Sequence, residues 1–120
     1  VTGVQTCALP ILQSAPFERL AQYIAQNLKQ DITVESLAQL SHMSIRSLYA
    51  LFERHAGTTP MNYIRCKKLE RIQASLSDPS HGVRNLTEIA LDYGFLHLGR
   101  FAEYYKNQFG ELPSVTLKRR

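Results

Sequence analysis

The chain repeats itself, and this constrains its fold more than any other feature. Displaced by 52 residues, Leu37 and Ala38 fall on Ile89 and Ala90, and Met43 falls on Phe95. Displaced by 53, Leu48 falls on Phe101, Phe52 on Tyr105, Gly57 on Gly110 and Pro60 on Pro113. One extra residue therefore enters the second copy between its turn and its longer helix. Each copy follows one physical plan. A short helix carries an alanine where a second helix crosses closely, an apolar residue anchors a tight turn, and a longer helix with a buried stripe follows. That is helix-turn-helix logic: the small residue permits close packing, and the apolar anchors fix the interhelical angle. One such match is weakly specific, since many helical hairpins show it. Two copies joined by a helix of about 17 residues are far more restrictive. A solenoid stacks several repeats directly, whereas here a long helix separates two.

Helical periodicity fills in the rest. Phe17, Leu20, Ala21, Ile24 and Leu28 predict an amphipathic helix over 17–29. Thr33 is placed to cap a short helix from Val34 to Leu40, and Ser41-His42-Met43 reads as a turn. Ser44 is placed to cap a third helix, with Leu48, Leu51, Phe52 and His55 inward and Gly57 as its stop. Pro60 stands near the first position of a long helix reaching about Ser77, with Met61, Ile64, Leu69, Ile72 and Leu76 as apolar positions. After a loop over 78–82, Leu86 to Tyr93 reads as a short helix and Tyr93-Gly94-Phe95 as a turn. Residues 97–109 then form a helix with Leu98, Phe101, Ala102, Tyr105 and Phe109 on one face, and Pro113 starts a last helical turn. No alternating strand pattern competes. The expected fold class is all-α, with about seven helices. Two homeodomain-like helix-turn-helix subdomains, over 12–60 and 78–120, are expected to flank a linker helix over 61–77. Residues 1–11, VTGVQTCALPI, resemble an accidentally translated sequencing adapter. They are expected to be non-native, and the natural protein to extend further N-terminally.

The net charge of +4 is uneven. Residues 1–57 hold four basic and four acidic side chains, and residues 58–120 hold ten and six. A local basic excess suits a phosphate-rich partner, though alone it is weak evidence. The two cysteines, Cys7 and Cys66, form no CxxC, and the four histidines have no metal-ligand spacing. Cys66 reads as a small packing residue, and the cysteine usage as that of a reducing, cytoplasmic compartment. No cofactor and no metal are expected. No apolar run approaches the ~20 residues of a membrane span, so no membrane partner is expected either. Nucleophile–base pairs and paired carboxylates are also missing, which argues against an enzyme. An enzyme fused to such a module would have to hold its catalytic groups upstream.

The outward faces of the two longer helices carry the candidate site. Arg46, Ser47, Tyr49 and Ala50 lie on the first, and Arg100 and Glu103, with His97 nearby, on the second. Displaced by 53, Ser47 falls on Arg100 and Ala50 on Glu103. Such a face suits the major groove of double-stranded DNA. Arginine can make a bidentate contact to guanine, glutamate can accept from cytosine N4, and alanine or a tyrosine ring can touch a thymine methyl. Arg100 and Glu103 stand three apart on a helix and could equally form a surface ion pair. His97 could equally be a cap. Thr33, Ser36 and Thr87, near helix starts, are candidates for phosphate contact, with Lys67, Lys68, Arg71, Lys106 and Asn107. A protein-binding helical module would instead expose an apolar patch.

Two segments carry a family pattern: ITVESLAQLSHMSIRSLYALFERHAGTTPMNYIRCKKLERIQASL and LTEIALDYGFLHLGRFAEYYKNQFGELPS. They resemble the DNA-binding domain of the AraC/XylS family over about residues 14–120. The resemblance implies seven helices and two helix-turn-helix units spaced by a linker helix. It also implies activation through RNA polymerase at direct-repeat sites. It puts recognition positions on Arg46, Ala50, Arg100 and Glu103. Ala50 departs from the pattern, which implies an amide there; a methyl group cannot read adenine as an amide does. The resemblance further implies control of aromatic-compound catabolism, with a small-molecule effector acting only through a sensing domain before residue 14.

Overall fold

A computed structural model describes residues 15–82 and 85–119. Among them are seven α-helices and no strand: α1 (Ala15–Gln26), α2 (Val34–Ser41), α3 (Ile45–Ala56), α4 (Pro60–Ser77), α5 (Leu86–Asp92), α6 (Leu98–Phe109) and α7 (Pro113–Arg119). A short 3-10 turn, Pro79–His81, follows α4, capped by the Asp78 carboxylate. The adapter-like residues 1–11 lie outside the described residues, as does Arg120. The chain forms two compact units, and their boundary falls inside α4, between Lys67 and Lys68.

In the first unit, Phe17, Leu20 and Ile24 form the buried stripe of α1 and meet Leu37, Leu48, Phe52, Tyr63 and Ile64 in one core. Phe17, Phe52 and Tyr63 pack mutually edge-on, with centroids 5.2–5.8 Å apart. Quadrupole geometry favours this arrangement over flat stacking. His55 is buried and stacks on Phe17 at 5.4 Å, as a packing residue. α1 closes earlier than its periodicity suggests. The Asn27 amide donates to the Tyr23 carbonyl at 2.8 Å, and Leu28 is buried from the turn that follows.

In the second unit the core comprises Leu69, Ile72 and Leu76 of α4, Ala90 and Tyr93, and Phe101 and Tyr105 of α6. A chain of polar contacts ties α6 to α7. The Tyr105 hydroxyl donates to Thr116 Oγ1 at 2.8 Å, and the buried Thr116 donates on to Glu111. Arg119 grips the same carboxylate with two donors, at 2.6 and 2.8 Å. Arg119 first and Thr116 second hold the Glu111 carboxyl below its ordinary value. Burial raises the Tyr105 phenol, against the bond to Thr116.

Two expectations need correction. Met61 is exposed, and Tyr63 takes the buried place near the start of α4. Leu98, expected inward, is exposed on the first turn of α6. A first-turn side chain has no preceding turn to lie over, so periodicity overstates its burial. Cys66 is half-buried on α4.

Candidate nucleic-acid interface

Each copy builds its turn with the same hydrogen bonds. At the end of α2, His42 N–H donates to Gln39 O at 3.2 Å and Met43 N–H to Ala38 O at 3.0 Å. At the end of α5, Gly94 N–H donates to Leu91 O and Phe95 N–H to Ala90 O, both at 2.9 Å. Both are Schellman turns, in which one left-handed residue lets the chain reverse and satisfy the last carbonyls. His42 has φ 57° and Gly94 φ 87°. The two alanines singled out by the repeat are buried, and in each turn their carbonyl receives the bond that reaches back furthest along the chain.

The turn then delivers a capped twelve-residue helix. In the first copy Ser44 follows Met43 directly, and its hydroxyl accepts from Ser47 N–H at 3.1 Å. In the second, Leu96 intervenes, and His97 Nδ1 accepts from Arg100 N–H at 3.2 Å. Leu96 is thus the extra residue, and it is 85% exposed. Both helices close on a left-handed glycine, Gly57 bonding to Glu53 O and Gly110 to Lys106 O. Leu48 and Phe52 face inward in one, Phe101 and Tyr105 in the other. Arg46, Ser47, Tyr49 and Ala50 are exposed on α3; Arg100, Glu103, Lys106 and Asn107 are exposed on α6. Among the described residues neither Arg100 nor Glu103 makes an ion pair, so the arginine fork is open to another acceptor.

The remaining candidates are held more tightly. Thr33 and Ser36 are the two halves of the capping box of α2, at 3.0 and 3.1 Å. Ser47 also bonds Ser44 through its hydroxyl. Thr87 is exposed, but the cap of α5 is Asn85, whose amide oxygen takes Thr87 N–H at 2.8 Å. Asn85 was not anticipated from the sequence, although an Asn directly before a helical run is a favoured cap. Lys67 lies over the Tyr63 ring and Lys68 over the Phe95 ring, their centroids 5.4 and 6.0 Å away. Arg71 is exposed on α4. Ile45 and Leu98, the first residues of α3 and α6, were not anticipated, and both are exposed aliphatics at the rim of the face. Among the described residues no cluster of three or more His, Cys, Asp or Glu could hold a metal ion. Nor is any described helix long and apolar enough to cross a membrane.

Residues 37–119 match the family model described as "Helix-turn-helix domain". A XylDLEGF operon transcriptional activator of Pseudomonas putida is 68% identical over 102 residues, which is 85% of this chain and 32% of that protein. A second such activator of the same organism is 62% identical over 101 residues, 84% of this chain and 64% of that protein. This chain therefore spans about a third of the first relative and under two thirds of the second. A probable AraC family transcriptional regulator from Rhodopseudomonas palustris matches with a TM-score of 0.81 at 36% identity, covering 88% of this chain and 97% of that one. The DNA-binding domain of AdpA, solved with a target DNA, shares the fold at 21% identity and a TM-score of 0.78, covering 88% and 93% of the two chains.

Proposed function

This chain belongs to the AraC-type helix-turn-helix family of DNA-binding domains, and on that premise we propose that it reads duplex DNA with both α3 and α6 and activates transcription. One observation carries the reading. The same turn, made with the same bonds, presents a capped helix with an open polar face twice in one chain.

The roles follow from side-chain chemistry. Arg46 and Arg100 each offer a planar fork to guanine O6 and N7. Glu103 accepts from cytosine N4, and Tyr49 and Ala50 contact thymine methyls. Ala50 makes that position a reader of shape and methyl rather than of adenine. Ser47 serves its cap first and reaches the duplex second. Backbone N–H groups at the starts of α2 and α5, near Thr33, Ser36 and Thr87, bind phosphate with Lys67, Lys68, Arg71, Lys106 and Asn107. The subdomains over 12–60 and 78–120 act as the two readers, and 61–77 as their linker. The names of the Pseudomonas relatives extend the proposal to operon activation, and the family resemblance extends it to genes for aromatic-compound catabolism. RNA polymerase is the protein partner of that activity. A small-molecule effector acts through a sensing region outside the 120 residues. Action on DNA places the protein in the cytoplasm, at the nucleoid.

The test is selection of bound duplexes from a random pool, at two salt concentrations. The expected result is a motif with two half-sites about one helical turn, roughly 10 base pairs, apart. Its affinity should fall steeply with added salt as counterions are no longer released favourably. Binding without any enriched motif at either salt would refute sequence reading, and no binding at low salt would refute DNA as the ligand.

A further inference from the structure

The two copies cap their outer helices with different chemistry. Ser44 does the work in the first copy, and His97 does it at the corresponding place in the second. His97 Nδ1 accepts the Arg100 backbone N–H at 3.2 Å. An accepting ring nitrogen carries no proton, so the imidazole proton sits on Nε2. The exposed ring therefore presents one polar atom outward, and that atom is a donor.

The neighbouring glycine shows that this ring position is built. Gly99 lies within α6 and is absent from the positive-φ glycines, so backbone freedom does not account for it. Glycine also weakens a helix relative to alanine. A Cβ at position 99 would stand 3.3 Å from His97 Cε1 and 3.5 Å from Nδ1. The missing side chain seats the imidazole against the first turn. In the first copy the corresponding residue is Arg46, beside a serine that needs no such room. The second copy thus gives up an arginine position and accommodates a ring.

We propose that His97 is a specificity-determining residue of the second reader. Its Nδ1 caps α6 through Arg100, and its Nε2–H donates to the O6/N7 edge of a guanine. Serine would supply the cap alone; imidazole supplies the cap and an outward donor whose direction the cap fixes. The inference rests on the DNA-reading function proposed above.

The experiment compares the 120-residue chain with its His97→Ser, Gly99→Ala and doubly substituted forms. Each is titrated onto a duplex bearing the selected motif and onto a random-sequence duplex. His97→Ser keeps a cap acceptor, so the melting temperature should stay near wild type while affinity falls about tenfold, the worth of one such hydrogen bond. Gly99→Ala raises helix propensity, yet should weaken binding when His97 is present and have no effect in the His97→Ser background. Loss on the motif duplex alone is the expected result, whereas equal loss on both duplexes, the mark of a phosphate contact, overturns the proposal. Unchanged affinity of His97→Ser, or an equal effect of Gly99→Ala in both backgrounds, overturns the proposal. Failure of the wild-type chain to bind either duplex would instead overturn the DNA-reading function, and this inference with it.

Discussion

The paired turns invite a reciprocal exchange at their left-handed residues. His42 adopts φ 57°, whereas Gly94 adopts φ 87° at the same point of the second turn. A side chain in this region costs about 1–2 kcal/mol through the clash of Cβ with the following carbonyl. Replacing His42 by glycine removes that cost. It also restores unfolded-chain freedom, which takes back roughly 0.5–1 kcal/mol. His42→Gly should therefore stabilise the first unit by about 0.5–1 kcal/mol. Gly94→Ala should destabilise the second unit by a similar amount. Sterics add nothing there, because the nearest atom to a Cβ at 94 would be the flexible Lys68 Nζ, at 3.5 Å. Urea denaturation followed by far-ultraviolet circular dichroism would measure the two changes. Amide hydrogen exchange in α2 and α3, against α5 and α6, would assign each to its unit. A shift of roughly 2–6 °C in melting temperature is expected for changes of this size. A destabilised His42→Gly protein, or a Gly94→Ala protein as stable as wild type, would refute the conformational argument.

Three further outcomes are expected. Arg100→Ala should cost roughly 1–3 kcal/mol of DNA affinity and relax preference at one base pair; an unchanged motif after selection would remove Arg100 from base reading. Phe52→Ala should destabilise the first unit by about 3–5 kcal/mol, because Phe52 is fully buried between Phe17 and Tyr63; a loss under 1 kcal/mol in chemical denaturation would contradict that ring cluster. Glu111 has a lowered carboxyl value, so its contribution is present above the unfolded carboxylate value and disappears as pH falls through the folded one. Glu111→Gln should flatten that acid-side loss in the second unit, and an unchanged pH profile of unfolding would show that the Arg119 and Thr116 contacts do not form in solution.

Much of this architecture was written in local patterns. Ala38 and Ala90, Leu48 and Phe101, and Gly57 and Gly110 recur because both copies bury the same stripe and stop on the same left-handed glycine. Caps at Thr33 and Ser44 were legible because a hydroxyl beside an amphipathic run has few other uses. The open face of Arg46, Tyr49 and Ala50 was legible as the complement of the buried one. His97 was less so. Its match to Ser44 was available from the 53-residue displacement, but histidine is an uncommon cap, and only coordinates show which ring nitrogen is used.

By itself, then, the sequence determined the all-helical class, the duplicated helix-turn-helix plan and the polarity of the two outer faces, since each depends on residues within a few positions of one another. The tertiary structure decided what depends on distance between elements. It turned Met61 and Leu98 outward and brought Tyr63 into the rings of Phe17 and Phe52. It also joined Tyr105 to Thr116 and Glu111 across α6 and α7, and aimed the His97 ring with the space left by Gly99. Periodicity records which side of a helix is apolar; which atoms that side meets is settled only when a second helix arrives.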